Sequence, residues 1–469
     1  MQNESTPATP ASAHDAWAAA ALKSLKGATL ESLTVRTVEG LQIAPLYDSA
    51  PETGAVRADA VWDIRAPIRA ADPAEANRLA HEALGGGTTS VLLDLGGLGS
   101  AADLRAALDG VVIEAAPVAL DAGLHGALAA EWLAESGAVG PAARAALHLD
   151  PLGAFAVAGQ SPGPIEEHVR VAAKTAAKLA ERYPQACLFL ASGRAAHEAG
   201  GSAGHELGMA AAAAVAYARA MADAGLGPEV GISRIALGLS VDAEVLVSVA
   251  KLRAARRIWA RIAAACGQDV PAVIEARSSD RMLTAADPWT NLLRQTLAGF
   301  AGAVGGADAL ALGAFTDALG RPAERARRLA CNTQLILMEE ASLGRLADPA
   351  AGAWALESLT DQLARQGWSF FQAIERQGGL AGALTSGFIA AEVAEVRAAR
   401  AAEIAEGDRP ILGVTVFPDP EPLPVEVEAA APHRALPDVR VPGPDSGCPP
   451  LTPIRLSAAA EGVSGDLAS

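Results

Sequence analysis

The sequence has no hydrophobic stretch long enough to cross a membrane, no extended basic block and few cysteines. Uncharged apolar runs such as 207–218 and 296–307 fall short of the roughly 20 residues that a spanning helix needs. The 469 residues carry 54 acidic and 37 basic side chains, a net charge of -17, which disfavours binding to a phosphate backbone. We therefore expect neither a membrane nor a nucleic acid as a partner.

The four cysteines form no CxxC pair, which argues against a zinc knuckle and against a disulfide framework. The first residues have neither the basic region nor the apolar region of a secretory signal. Both features are typical of a reducing compartment, and they predict a cytoplasmic protein. Hydrophobic residues make up 51% of the chain against 19% charged, which indicates a globular protein with a large core.

Short apolar runs alternate with long alanine-rich stretches between about residues 60 and 315. The apolar runs have the length of strands, and the alanine-rich stretches have the length of helices. Eight successive strand–helix units predict an α/β protein with a parallel sheet, and closure into a (β/α)8 barrel buries both faces of every strand. A doubly wound open sheet is the alternative topology. The candidate strands are 61–65, 90–95, 117–121, 146–152, 187–192, 234–240, 272–277 and 309–314, with helices that include 74–84, 164–182, 204–224, 243–266 and 288–304.

The N-terminal region contains one short amphipathic segment. Trp17, Ala21 and Leu25 recur at a spacing of four, which places them on one face of a helix over 15–26. An isolated helix of this length is marginally stable in water, so its apolar stripe is expected to dock on another surface. These three residues are our candidates for contact with a partner.

The C-terminal region changes in composition after further helices at 323–338, 359–376 and 389–405. Twelve prolines lie between residues 410 and 453, and no apolar period of 2 or 3.6 persists among them. This composition predicts an extended linker or a coil that follows the surface. We therefore divide the chain into an N-terminal arm (1–35), a barrel with additional helices (36–406) and a Pro-rich tail (407–469).

Three motifs have a chemical and a structural interpretation. Gly97, Gly99 and Ala102 match G-x-G-x-x-A, but the glycine-rich composition makes chance matches common and the motif follows the second strand rather than the first. The pairs His197–Glu198 and His205–Glu206 resemble metal ligands, yet their spacing favours solvated or capped side chains. The basic cluster at 321–328 is interpreted as a solvated helix face.

Several phrases, taken in order along the chain, resemble the adenosylcobalamin-dependent methylmalonyl-CoA mutases. They are 33–47 (LTVRTVEGLQIAPLY), 251–259 (KLRAARRIW), 283–294 (LTAADPWTNLLR), 331–334 (CNTQ), 339–340 (EE), 348–349 (DP), 352–357 (GAWALE) and 378–380 (GGL). The resemblance covers about residues 15–406 and implies a (β/α)8 barrel. It also implies a reaction in which a 5′-deoxyadenosyl radical abstracts hydrogen from an acyl-CoA in a dry pocket.

The phrases that carry this chemistry in the family differ here. Pro67 stands where catalytic members have the tyrosine of R-P-W-T-I-R-Q-Y, and Arg194 and Ala195 replace the tyrosine and histidine of S-G-Y-H-M-Q-E-A-G. The phrase R-T-H-S-Q-T-S-G corresponds to 273–280, where Glu275 and Arg277 introduce charges. The resemblance thus implies that no catalytic residue is retained, and that these charges carry a desolvation cost which no visible partner offsets.

The sequence also contains no Asp-x-His-x-x-Gly, the family motif whose histidine ligates cobalt. We therefore expect no metal ligand and no cofactor-binding residue in this chain, with adenosylcobalamin bound by a partner. The expected role is the non-catalytic small subunit of a heterodimeric methylmalonyl-CoA mutase, which stabilises a large catalytic subunit and is inactive alone. The alternatives are a catalytic barrel with its cobalamin domain on a separate chain, an unrelated barrel enzyme using Glu275 or His197 as acid or base, and a stand-alone acyl-CoA-binding protein.

Overall fold

Eight parallel strands close into a barrel in the computed structural model, which describes residues 13–49, 57, 59–429 and 435–462. Each strand pairs with the next along the chain, and the last pairs with the first. The predicted (β/α)8 barrel is confirmed, and the doubly wound alternative is wrong. The strands are β1 (Asp63–Ile68), β2 (Ser90–Asp94), β3 (Val118–Asp121), β4 (Ala146–Leu149), β5 (Cys187–Ser192), β6 (Ile235–Val241), β7 (Val273–Ser278) and β8 (Ala309–Ala311).

Helices surround this barrel and continue beyond its last strand. A second layer is formed by α13 and the two helices after it, since α13 packs on both α8 and α10. The helices are α1 (Ala13–Ser24), α2 (Pro73–Gly85), α3 (Ala101–Ala107), α4 (Gly126–Ser136), α5 (Pro151–Ala158), α6 (Ile165–Ala180), α7 (Arg194–Glu198), α8 (Ala203–Asp223), α9 (Pro228–Gly231), α10 (Val245–Ala265), α11 (Asn291–Gly305), α12 (Glu324–Leu335), α13 (Trp354–Arg376), α14 (Gly379–Thr385) and α15 (Phe388–Glu406).

Glycines allow α8 and α13 to approach closely. A Cβ atom on Gly208 would lie 2.7 Å from Phe370 Cδ1, and one on Gly367 would lie 2.6 Å from Leu207 Cβ. Both distances are shorter than real side chains tolerate, so only glycine permits this packing. The uncharged run 207–218, which lies in α8, is thereby covered by the outer helix layer.

One strand and one helix end at residues other than those predicted. The predicted strand 146–152 stops at Leu149 because Asp150 caps α5, accepting a hydrogen bond from the Gly153 backbone N–H at 3.1 Å. Pro151 at the first helical position completes this helix start. The predicted helix 323–338 ends as α12 at Leu335 and continues as a π-helical turn, Ile336–Glu340.

The N-terminal arm forms the expected helix, which ends at Ser24, two residues before the predicted end. No residue of α1 is buried, and Trp17, Ala21 and Leu25 are each half-exposed. The chain then reaches α13, where the Gln362 amide donates to the Gln42 carbonyl oxygen at 2.9 Å. The arm is therefore joined to the outer helix layer, while its helix has no extensive contact with the barrel.

The Pro-rich tail is a coil that follows the surface, which is one of the two forms that its composition predicted. Ser446–Gly447 pairs antiparallel with Gln160–Ser161 near α5. Further along, the Ile454 backbone N–H donates to the Glu198 carbonyl oxygen at 2.9 Å, and the Leu456 N–H donates to the Arg281 carbonyl oxygen at 3.0 Å. The tail thus crosses the segments that follow β4, β5 and β7.

No single described helix combines the length and hydropathy required to cross a bilayer. One pair, α14 and α15, meets the criterion only when the two helices are taken together across a bend of 66°.

Candidate functional site

The positions singled out in the sequence converge on the carboxyl end of the barrel, where barrel enzymes place their active sites. Pro67 is the fifth residue of β1, and Glu275 and Arg277 lie on β7. Arg194 and Ala195 begin α7, directly after β5. The structure therefore brings all five replaced positions to one region, as expected for a family pocket.

Charged side chains meet across the centre of the barrel. Arg65 donates to Glu275, which also accepts from Arg277 Nε at 2.7 Å. Arg277 reaches Asp121 at 2.5 Å, and Arg65 Nη2 reaches Asp63 Oδ2 at 2.7 Å. Because β3 and β7 are not neighbours in the sheet, Arg277 and Asp121 can meet only through the lumen. We call these five residues the lumen charge layer.

This layer corrects one expectation from the sequence. Glu275 is only 2% exposed, and burial alone would raise the pKa of its carboxyl. His148 and the two paired guanidinium groups nevertheless hold that pKa well below the usual range. The carboxylates of the layer likewise raise the pKa of Arg277 although burial opposes this. The prediction that no partner offsets these charges was therefore wrong, because the partners come from β1 and β3.

His148 joins the layer from β4. Its Nε2 lies 3.4 Å from Glu275 Oε2, and its Nδ1 has no hydrogen-bond partner among the described residues. Burial lowers the pKa of His148 to about 4, so the ring is neutral at physiological pH. The backbone has φ 47° at this residue, where the pairing of β4 with β5 shifts register. Left-handed backbone is costly for a residue with a Cβ, and such strain is concentrated at specialised sites.

The lumen charge layer extends to the polar mouth of the barrel. Asp121 has 48% of its side chain exposed, and Arg194 has 22%. Arg194 lies 3.7 Å from Glu198, while neighbouring Ala195 is buried and offers no hydrogen-bonding group. These two positions therefore present a guanidinium and a methyl group, where the resemblance implies a tyrosine and a histidine.

A second ionic cluster is fully buried at the end of β6. Glu206 accepts from Lys251 and lies 3.1 Å from His197 Nδ1. Asp242 pairs with Arg281 at 2.9 Å and lies 3.5 Å from His197 Nε2. Burial, reinforced by the two cations, lowers the pKa of His197, whereas Lys251 and His197 together lower the pKa of Glu206 to about 2 against the opposing effect of burial.

The two His–Glu pairs were expected to be solvated or capped side chains, and their residues differ in this respect. His205 caps α8 with Ser202, as a capped pair requires. Glu206 and His197 are buried in the ionic cluster, so the solvated interpretation is wrong for them. No group of three potential ligands that could hold a metal occurs within the described part of the chain.

The remaining motifs have structural explanations. A Cβ on Gly97 would lie 2.3 Å from the Ala70 carbonyl oxygen, so this glycine permits close contact between two loops. Arg321 pairs with Glu75 at 2.6 Å, and Arg327 pairs with Glu82 at 3.0 Å. Because these guanidinium groups are mostly buried in ion pairs, the prediction of a solvated face was wrong for Arg321 and Arg327.

Phrases that resemble the family meet one another in the helix shell. Arg253 of the 251–259 phrase pairs with Asp348 at 2.6 Å and with Glu357. Gln334 accepts a hydrogen bond from Trp62 Nε1 at 3.1 Å. The retained phrases therefore stabilise the barrel wall, whereas the replaced ones lie in the lumen and at its mouth.

Sequence reasoning missed Arg65, Asp121 and His148. Strand alternation offered a usable pattern, because Asp63 and Arg65 share one face of β1 and Glu275 and Arg277 share one face of β7. Charges of both signs on inward faces predict ion pairs within a barrel. His148 had no such pattern, because the register shift in β4 is a property of the folded sheet.

The closed parallel barrel, with these side chains gathered at its carboxyl end, defines a (β/α)8-barrel protein. The family model described as Methylmalonyl-CoA mutase matches residues 96–436. The chain belongs to the methylmalonyl-CoA mutase family.

Alignments with individual relatives cover most of this chain. It is 40% identical over 437 residues to a Methylmalonyl-CoA mutase small subunit of Streptomyces virginiae, an alignment that covers 87% of this chain and 70% of the relative. It is 31% identical to the small subunit of Propionibacterium freudenreichii subsp. shermanii, over 83% of this chain and 64% of the relative. It is 29% identical to a Methylmalonyl-CoA mutase of Cereibacter sphaeroides, over 88% and 65% respectively. The chain thus aligns with about two thirds of each relative's length.

The described residues do not fit adenosylcobalamin, the cofactor that the family resemblance implies. The resemblance implies a histidine as the cobalt ligand, and no described histidine stands unpaired at the barrel mouth. His148 and His197 are buried in ionic clusters, His205 caps α8, and His14 lies on α1. His81, His125 and His168 bond to backbone carbonyl oxygens at 2.8, 3.0 and 3.0 Å.

Proposed function

We propose that this chain is the non-catalytic small subunit of a heterodimeric methylmalonyl-CoA mutase, which interconverts methylmalonyl-CoA and succinyl-CoA. Its role is to bind the large catalytic subunit and stabilise it. The cofactor is bound by that partner, and this chain contributes neither a cobalt ligand nor a donor to the thioester. The compartment is the cytoplasm, in keeping with four free cysteines.

The lumen charge layer is the observation that carries this proposal. A radical reaction on an acyl-CoA needs a dry, accessible lumen with neutral donors to the migrating carbonyl. Here Arg65, Glu275 and His148 occupy the lumen with side chains that are each less than 10% exposed. Opening that space would separate buried ion pairs, which is costly. The barrel therefore acts as a packed core.

We expect the purified chain alone to bind no adenosylcobalamin at micromolar concentration and to convert no methylmalonyl-CoA, because its lumen is filled. Equilibrium titration followed by absorbance, together with a succinyl-CoA assay, measures both properties. The large subunit assayed with and without this chain is the control, and we expect higher stability or activity with it. Turnover by the isolated chain above a no-protein blank contradicts the proposal.

A second candidate function is a catalytic barrel that uses a cobalamin domain on a separate chain. The convergence of the family positions at one mouth favours it. It predicts turnover when such a domain is added to this chain without the large subunit. Pro67 and Ala195 oppose it, because neither side chain can donate a hydrogen bond to a thioester oxygen.

The N-terminal helix α1 is the proposed contact with the large subunit. Trp17 and Leu25 are only half-buried in the chain alone, and Leu22 is 47% exposed. Covering one tryptophan and one leucine contributes about 3 to 6 kcal/mol of gross transfer free energy before ordering costs. A free helix of this length gains stability only by docking.

Removal of residues 1–28 is expected to weaken association with the large subunit at least tenfold, which corresponds to about 1.4 kcal/mol. The barrel should remain cooperatively folded, since no residue of α1 is buried. Calorimetric titration of both forms with the large subunit measures the difference. Undiminished affinity combined with a much lower unfolding temperature would identify α1 as an intramolecular brace instead.

A further inference from the structure

Polar side chains from three elements converge beside Gly313, at the carboxyl end of the barrel. Gly313 follows β8, and a Cβ atom built on it would lie 2.7 Å from Asp317 Oδ2. The same point lies 3.2 Å from Ser278 Oγ, at the end of β7, and 3.4 Å from Gln295 Nε2, on α11. Gly313 and Asp317 are partly exposed, so the cluster is open to solvent. We call Ser278, Gln295 and Asp317 the β8 polar cluster.

Two members of this cluster have polar atoms without a partner. Gln295 is 3% exposed, and neither its Nε2 nor its Oε1 forms a hydrogen bond with any described residue. Asp317 Oδ2 accepts from the Ala314 backbone N–H at 2.9 Å, but Asp317 Oδ1 is buried and has no partner in the same part of the chain. Buried amides and carboxylates are nearly always hydrogen-bonded, because an unsatisfied polar atom loses its hydration without compensation. The cluster therefore has hydrogen-bonding capacity that the described residues do not use.

Carboxylates outnumber guanidinium groups around the β8 polar cluster. Burial, reinforced by Asp280, raises the pKa of Asp317 to about 7, whereas Arg69 opposes this. Burial and Glu198 raise the pKa of Asp280 in turn, although Arg69 and Arg194 oppose them. Because Glu198 and Arg194 lie 3.7 Å apart and pair with each other, Asp317 and Asp280 share the charge of Arg69. A bound cation would therefore stabilise the ionised form of Asp317.

The hydrogen-bonding groups of the cluster favour an ammonium group over a metal ion. Divalent metal ions are usually bound by several carboxylate oxygens, whereas Asp317 is the single carboxylate of the cluster. An ammonium group has three N–H donors and no acceptor. Asp317 Oδ1 and Gln295 Oε1 are both available to accept, and the Gln295 amide can turn its oxygen toward Asp317 without breaking a hydrogen bond. A charge-assisted hydrogen bond to the carboxylate is stronger than a bond between neutral groups.

We propose that the β8 polar cluster binds the protonated amino group of a small primary amine. Asp317 accepts a charge-assisted hydrogen bond from the ammonium group, and Gln295 accepts a second one through Oε1. Ser278 Oγ accepts from the Gly313 backbone N–H at 2.8 Å and keeps a lone pair for the third. None of the three residues belongs to the lumen charge layer, and the inference does not rest on the proposed function. A cationic ligand is also attracted by a chain of net charge -17.

Calorimetric titration of the full chain with methylammonium chloride tests this site. Tetramethylammonium chloride is the control probe, because its cation has the same charge but no N–H donor. We expect methylammonium to bind at least about tenfold more tightly than tetramethylammonium. Its affinity should fall as the pH is lowered from about 8 to about 6, because the Asp317 carboxyl takes up a proton over that range. Equal affinity for the two cations, or no binding of methylammonium, overturns the proposal.

Two substitutions locate the bound amine. Asp317→Asn removes the charge, Gln295→Met removes both hydrogen-bonding atoms, and each is expected to weaken methylammonium binding at least about tenfold. Neither should lower the unfolding midpoint, because Gln295 forms no hydrogen bond with the described residues and asparagine keeps an acceptor for the Ala314 N–H. Asp109→Asn, in an exposed turn after α3, is the matched control and should bind methylammonium as the wild type does. Wild-type affinity in either variant of the cluster overturns the assignment of the site.

Discussion

Replacement of Glu275 by glutamine is expected to lower the free energy of unfolding by about 3 to 5 kcal/mol, because it leaves buried guanidinium groups without their shared carboxylate. Glu275 accepts from Arg65 and from Arg277, the latter at 2.7 Å, and is 2% exposed. Glutamine keeps the size of the side chain but not its charge, so cavity formation does not confound the result. Denaturant titration at pH 7 measures the change in midpoint.

Asp121→Asn is the matched control for this substitution. Asp121 also pairs with Arg277, but its side chain is 48% exposed. Solvent screens an exposed pair, so the expected loss is below about 1 kcal/mol. Equal stability of Glu275→Gln and wild type would mean that the lumen charge layer does not hold the barrel together, and the main support for the proposed function would be lost.

His148→Asn is expected to remove much of the acid sensitivity of the fold. Burial lowers the pKa of His148 from 6.5 to about 4, so the unfolded chain takes up a proton at a higher pH than the folded chain does. The corresponding stabilisation is present above pH 6.5 and is lost as the pH falls toward 4. Its size is about 3 kcal/mol. Asparagine tolerates the left-handed backbone at this position and carries no titrating group.

Unfolding free energies measured between pH 7 and pH 4 for both proteins check this prediction. The variant is expected to be less stable at pH 7 but to lose about 3 kcal/mol less on acidification. The lowered pKa values of Glu275 and Glu206 also cause acid destabilisation, so a residual slope remains. His14→Asn, on the exposed helix α1, should retain the wild-type slope. If the unfolding free energies of the wild type and of His148→Asn depend on pH in the same way, the assignment of this acid destabilisation to His148 is refuted.

Local patterns in the sequence were sufficient for the architecture. Eight apolar runs separated by helix-length segments predicted the closed barrel, because burial of both strand faces requires a helix after each strand. The residues at which strands and helices end differed from the prediction, because capping hydrogen bonds decide them. The strand at 146–152 ended early once Asp150 capped α5, and the helix at 323–338 became a π-helical turn after Leu335.

By itself, the sequence determined the barrel class and the apolar stripe of α1, and its resemblance to the family pointed to the positions of Pro67, Arg194 and Ala195. Only the tertiary structure decided which charges neutralise one another. Arg277 and Asp121 are 156 residues apart in sequence, and their contact exists because strands β7 and β3 face each other across a closed barrel. Local patterns report burial and periodicity, whereas ion pairing depends on distances that closure of the sheet alone creates.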